Sequence, residues 1–395
     1  MRGVPVALLM AALLLGSDPE AYDWRLPRGF PKPRMPANNP MSEVKVQLGR
    51  YLFYDQRLSV NRTQSCASCH QQEREFADGR ATSSGATGEP HPRSAMSLVN
   101  VAYAAALTWA DPTLRSLEEQ AVVPMFSNHP VELGLSGHER STLDALRAEP
   151  VYRDLFPRAF GESQNPFTMV NAARALAAFE RSIISERSPY DRYHTGGEED
   201  AICESAKRGE AVFFTDQVAG CFRCHGGFNF SDAVTYKGKE ADRVRFHNTA
   251  LYQEYPPPNR GLFERTGRWS DIGKFKAPSL CNIALTAPYM HDGSIATLEE
   301  VLKHYAAGRA HQHPNKDPRI HKLELSPQNR ADLLAFLRAL TDEEVLHDPR
   351  FANPWEPQRT SVRAVASRRP GRGEGQLAKR LAADRSRPRH LIAAN

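Results

Sequence analysis

Four of the six cysteines in this 395-residue chain sit in two copies of one five-residue pattern, "CASCH" at 66–70 and "CFRCH" at 221–225. Nothing else in the sequence restricts the fold as strongly, because Cys-x-x-Cys-His places two thiols and an imidazole on one turn around a shared chemical object. The surroundings repeat too. "LGRYLFYDQRLSVNRTQSCASCHQQEREFADG" and "RGEAVFFTDQVAGCFRCHGGFNFSD" each set a glycine, an aromatic pair and an aspartate before the motif, then Phe76 and Asp78 or Phe230 and Asp232 after it. The chain reads as a duplicated module.

The pattern is that of c-type haem attachment, in which both thiols form thioethers to the porphyrin vinyls and the histidine binds iron. Cys66, Cys69 and His70 would serve one haem, and Cys221, Cys224 and His225 the other. A zinc site built from two Cys-x-x-Cys pairs usually spaces them about 12–20 residues apart. Here about 150 residues intervene and each pair carries a trailing histidine. A thioredoxin-like pair would explain neither the repeat nor the missing βαβ pattern. Cys203 and Cys281 are left either as a disulfide or as two buried thiols, thiols being preferred.

Apolar residues recur at helical spacing in "SEVKVQLGRYLFYD", "ESAKRGEAVFFTD", "TLRSLEEQAVVPMF", "NPFTMVNAARALAAFERSII", "IATLEEVLKHYAAG" and "SPQNRADLLAFLRALT". Ser326-Pro327 and Thr297 with Glu300 are helix-start signals. Strand signals are few. A mainly α chain follows, with 41% hydrophobic residues supporting two ordinary domains and a planar cofactor completing each core. "MRGVPVALLMAALLLG" is a basic start followed by an apolar run too short to span a membrane, which predicts a signal peptide over 1–17, export to the periplasm and no stable membrane anchor. From Arg359 onward, ten Lys or Arg face two acids, so the rest of a chain of net charge +5 is slightly acidic. That stretch has no aromatics and predicts a disordered basic tail over 356–395 rather than a nucleic-acid-binding element.

The ordered series "QSCASCH", "SLVNVAYAAALTWADPTLRSLEEQAVVPM", "HPVELG", "GCFRCH", "FHNTALY", "KFKAPSLCNIALTAPYMHDGSIATLEEVLKHY" and "LLAFLRALT" resembles the bacterial di-haem cytochrome c peroxidases and their relative MauG across roughly residues 40–345. The resemblance implies two cytochrome c-like helical domains, 40–195 and 196–350, each with one covalently bound haem c. It makes the N-terminal haem peroxide-reactive and the C-terminal haem an electron-transfer centre. Trp109 matches the tryptophan between the haems, Glu132 the distal acid/base carboxylate and Gln120 a polar residue of the same pocket. Tyr305 falls where the second haem takes its sixth ligand, with Met290 as competitor; a tyrosinate there is the MauG arrangement. Ala86 stands where classical peroxidases place a displaceable distal histidine, which implies an open first haem, although His91 follows five residues later. Thr286 and Pro288 match carbonyl donors to one calcium ion, with Ser94 at the third position.

"NNPMSEVKVQLGRYLFYD" and "TGEPHPRSAMSLVNVAY" are similar to the MbnH-like branch. That similarity implies an enzyme using hydrogen peroxide to reach a high-valent di-haem state that oxidises a tryptophan on a partner protein, an MbnP-like copper-binding protein being the candidate. The second reading is a peroxide-scavenging peroxidase fed by a small electron-donor protein. A third is a non-catalytic electron carrier or haem sensor.

Overall fold

Two helix crossings carry the duplication into three dimensions. In the computed structural model, which describes residues 22–356 apart from 27–28, 162–164, 241–243 and 309–311, the helix Glu43–Phe53 packs on Met169–Ser182 and the helix Glu204–Phe214 on Pro327–Ala339. The repeated glycine explains both. A Cβ on Gly49 would lie 1.9 Å from the Ala175 carbonyl oxygen, and one on Gly209 1.9 Å from that of Asp332. Only a residue without a side chain lets the backbones come that close.

The repeated phenylalanines act alike on both sides. Phe53 meets Phe179 at 5.1 Å and Phe76 at 6.1 Å between ring centroids; Phe213 meets Phe336 at 5.2 Å and Phe230 at 6.0 Å. Aromatic pairs in this range add about 0.5–1.5 kcal/mol beyond the area they bury. One hydrophobic core runs from Leu48 to Ile183 and takes in Val345 and Phe351, while a second runs from Tyr190 to Leu340. Both lie within the compact unit that ends at Glu356.

Helix ends follow local chemistry. Thr297 and Glu300 form a capping box, and Ser326 accepts a hydrogen bond from the Asn329 N–H ahead of first-turn Pro327, both as predicted. The helix predicted from Thr113 starts only at Leu117, capped by Ser116, because Asp111 holds Thr113 in a turn. Glu139–Ala148 and Pro150–Phe160 are helices that the sequence pattern did not reveal; Pro150 ends one apolar stripe and opens the next. Among the described residues there are isolated β-bridges and no strand, and no helix is long and apolar enough to cross a membrane. The predicted leader, and the predicted tail beyond Glu356, lie outside the described residues.

A second repeat, not recognised in the sequence, ties the two cores together. "SLVNVA" (97–102) and "SLCNIA" (279–284) each put an asparagine in the left-handed region, φ 57° at Asn100 and 59° at Asn282, at the head of a 3-10 turn. Asn100 exchanges hydrogen bonds with the Ser185 backbone, donating at 3.3 Å and accepting at 3.0 Å. Asn282 donates to Glu75 Oε1 at 2.7 Å and Ser185 Oγ at 3.0 Å, and accepts from the Asp342 N–H.

Burial pushes the carboxyls of Glu75 and Glu180 up to about 8, so both are protonated at neutral pH. A native-state value above the unfolded one means the native state holds the extra protons, so this stability is complete below about pH 4.5 and is lost as pH rises through about 8. Between pH 6 and 9 the thermal midpoint should fall. Glu180→Gln should flatten that slope, removing a pH-dependent loss on the order of 2–4 kcal/mol; an unchanged slope would contradict the assignment.

Candidate active site

At the first motif, Ser65 and Ser68 form a capping box that winds Cys66–Cys69 into a single helical turn, and His70 ends it. The His70 Nδ1–H donates to the Phe76 carbonyl at 2.8 Å, leaving Nε2 as the nitrogen available to a metal. Burial lowers the basicity of His70, which favours the neutral imidazole a ligand must be. At the second motif, His225 Nδ1 lies 3.2 Å from the Phe230 carbonyl and 3.1 Å from that of Pro278. The repeated phenylalanine thus has two jobs, a ring in the core and a carbonyl that orients the imidazole. Both stand at positive φ, 55° and 46°.

Glu132 lies on the loop after the helix Leu117–Phe126, pinned by Leu133 N–H to Pro124 O at 2.9 Å and Leu135 N–H to Met125 O at 2.9 Å. Burial raises the Cys66 and Cys69 thiols, and Glu132 adds a smaller contribution after Glu180 and the neighbouring thiol for Cys66 and after Asp78 for Cys69. The Ala86 N–H donates to the Glu132 carbonyl at 2.7 Å, and Asn61 Nδ2 donates to the Ala86 carbonyl at 2.6 Å. Gly85 leaves no room for a side chain, since a Cβ would lie 1.7 Å from Val131 O. The loop is therefore fixed by its backbone and offers only a methyl group at position 86. His91 Nε2 lies 3.4 Å from Glu132 Oε1, a pairing the sequence did not suggest. Gln120, on the Leu117–Phe126 helix, is half-buried.

A cavity surrounds the second motif, lined by Cys221, Cys224, His225, Tyr305, Met290 and Trp109 among others. Tyr305 projects from the helix Leu298–Ala307, and burial raises its phenol well above the usual value, with smaller contributions from Cys224 and Cys221. Met290, at φ 73°, reaches the same cavity, so both candidate ligands are present. Phe213, Leu302 and Leu333 make the wall apolar, whereas Lys276, Arg223 and Arg319 add cations. Burial alone brings Lys276 down to about 8. An apolar slot with cationic side chains, two thiols and an oriented imidazole fits a flat macrocycle bearing carboxylates.

Trp109 lines the cavity of the second motif. Its indole N–H donates to the Ser94 carbonyl at 3.0 Å, and the Ser94 N–H donates to the His291 carbonyl at 3.0 Å. Thr286 donates its hydroxyl to the Ile283 carbonyl, and Pro288 follows a cis peptide bond in the turn leading to Met290. Cys203 and Cys281 are both free; Cys203 is exposed rather than buried because it heads the helix Glu204–Phe214, while Cys281 packs beside the second core.

Residues 43–199 match the family described as di-haem cytochrome c peroxidase. A cytochrome-c peroxidase of Denitromonas iodatirespirans is 34% identical over 91% of this chain and 99% of its own length. The methylamine utilization protein MauG of Methylophilus methylotrophus is 35% identical over 77% of this chain and 84% of its own. Among solved structures, a MauG-like protein associated with microbial copper homeostasis superposes with a TM-score of 0.82 at 44% identity, covering 85% of this chain and 100% of that one.

Proposed function

From the premise that this chain belongs to the di-haem cytochrome c peroxidase family, which includes MauG and makes it a di-haem oxidoreductase, we propose that it uses hydrogen peroxide to oxidise a tryptophan on a partner protein in the periplasm. We assign residues 40–195 to a peroxide-reacting domain and 196–350 to an electron-transfer domain, with thioethers at Cys66, Cys69, Cys221 and Cys224. The observation that carries this reading is Tyr305, whose phenol faces the cavity of the second motif. An anionic oxygen ligand there favours oxidised iron, as an oxidant of proteins requires. The likeness to a MauG-like protein associated with copper homeostasis supports a copper-binding partner.

When bound, the haems supply peroxide reduction and a store for two oxidising equivalents. The chain supplies the rest. Glu132 takes the proton from the inner peroxide oxygen and returns it to the outer one, and His91 holds the carboxylate for that transfer. Ala86 leaves the approach open. Trp109 passes electrons between the sites, and the carbonyls of Thr286 and Pro288 would hold a calcium ion.

A second reading, peroxide scavenging with a small electron-donor protein, is supported by the cytochrome-c peroxidase relative spanning nearly the whole chain and by Met290 in the same cavity. One experiment separates them. The wild type should resist reduction by ascorbate and show no methionine-ligated low-spin signal by EPR, Tyr305→Met should become readily reducible, and Met290→Leu should behave as wild type. If Met290→Leu alone changes the spectrum, methionine is the ligand and scavenging becomes the better reading.

A further inference from the structure

A line of aromatic side chains leads from Trp109 through Tyr255 to Tyr252. Trp109 packs against a small buried cluster of Ala110, Tyr255 and Phe275, with Tyr252 and Ile272 beside it. The Tyr255 and Tyr252 rings stand 5.5 Å apart between centroids, edge to face. Tyr255 is buried and Tyr252 half-buried, and between and beyond them Gln253, Glu254 and Pro256 to Pro258 are exposed. The line therefore runs from the second cavity to the surface.

The hydroxyl partners differ in a way that matters for oxidation. A phenol that loses an electron becomes a strong acid, so it is readily oxidised only where a base takes its proton. Tyr255 donates to the Asn248 amide oxygen at 3.0 Å, a poor base. Tyr252 donates to the Asp292 carboxylate at 2.7 Å, a good one, and Asp292 is steadied by the Ser294 N–H. Other tyrosine–carboxylate pairs, Tyr152 with Asp55 and Tyr190 with Glu210, lie in the two main cores and not in the Trp109 cluster.

We propose that Tyr255 and Tyr252 form an exit for oxidising equivalents, with Tyr252 the surface residue at which a partner's side chain is oxidised. The step balances for one electron: Trp109, left one electron short after peroxide reduction, is refilled through Tyr255 by Tyr252. The Tyr252 O–H bond breaks and an O–H bond forms on Asp292 Oδ2. A one-electron donor at the surface, an indole or a small redox protein, then restores Tyr252, and Asp292 returns the proton. Two such passages, with two protons, complete the reduction of one peroxide to two waters. Tyr255, lacking a base, is a stepping point and Tyr252 the resting point. This inference rests on the peroxide-oxidase reading and on Trp109 being redox-active.

The test is freeze-quench EPR of the di-haem protein after peroxide addition without partner, with ring-deuterated tyrosine to identify the radical. Wild type should give a tyrosyl signal that is lost in Tyr252→Phe and in Trp109→Phe and strongly diminished in Asp292→Asn, while the first haem spectral change still occurs in Tyr252→Phe. A spectral change in wild type with a tyrosyl signal that survives Tyr252→Phe or Trp109→Phe, or with none at all, overturns the exit and leaves the oxidase reading standing. Absence of any spectral response to peroxide overturns both.

Discussion

Glu132→Gln should slow the peroxide-driven spectral change of the first haem by about 10²–10⁴-fold, the usual worth of a positioned acid/base group. Glutamine keeps the size and hydrogen-bonding reach of the side chain but cannot carry the proton between peroxide oxygens. Binding of a small neutral ligand such as nitric oxide to the first haem should change little, which separates lost proton transfer from a collapsed pocket. The loop itself should survive, because it is held by main-chain bonds from Ala86, Leu133 and Leu135 rather than by the carboxylate. A rate within about threefold of wild type would remove Glu132 from the mechanism.

The second large effect concerns stability. Helix propensity alone favours alanine over glycine by about 1 kcal/mol in an exposed helix. At Gly49 and Gly209 the sign should reverse, since the added carbon would sit 1.9 Å from a backbone carbonyl oxygen of the crossing helix. Neither helix can yield without moving a core, so Gly49→Ala and Gly209→Ala should each destabilise by about 3 kcal/mol. Calorimetry should show the midpoint lowered by roughly 6–12 °C, by the scaling of a 150–250-residue domain. A midpoint equal to or above wild type would show that the crossings are looser than the geometry implies.

The duplicated motif made much of this architecture legible. Glycine, phenylalanine and Cys-x-x-Cys-His recur because each meets the same need twice: a close helix crossing, a core ring with an orienting carbonyl, and an anchored turn. Helix starts were legible where a side chain caps its own backbone, as at Thr297 and Ser326. What could not be read depended on residues far apart in sequence. His91 meets Glu132 only because a glycine at 85 lets two loops touch. The Asn100 and Asn282 repeat was available as "SLVNVA" and "SLCNIA", but its meaning lies in left-handed backbone and in partners such as Ser185 and Glu75. Exposure of Cys203 likewise depends on which helix it heads.

The way the chain returns to its first core has a consequence for timing. Val345 and Phe351 pack into the core that begins at Leu48, Gln72 donates to the carbonyls of Val345 and Asp348, and Asp342 caps the knot through Asn282. A chain emerging from its N-terminus thus presents "CASCH" long before the residues that close around it have arrived. The core around the first motif cannot close before residues 345–351 are present, whereas the core around the second is complete by Leu340. Order of synthesis and order of closure run in opposite senses, and the earlier motif is the last to be sealed.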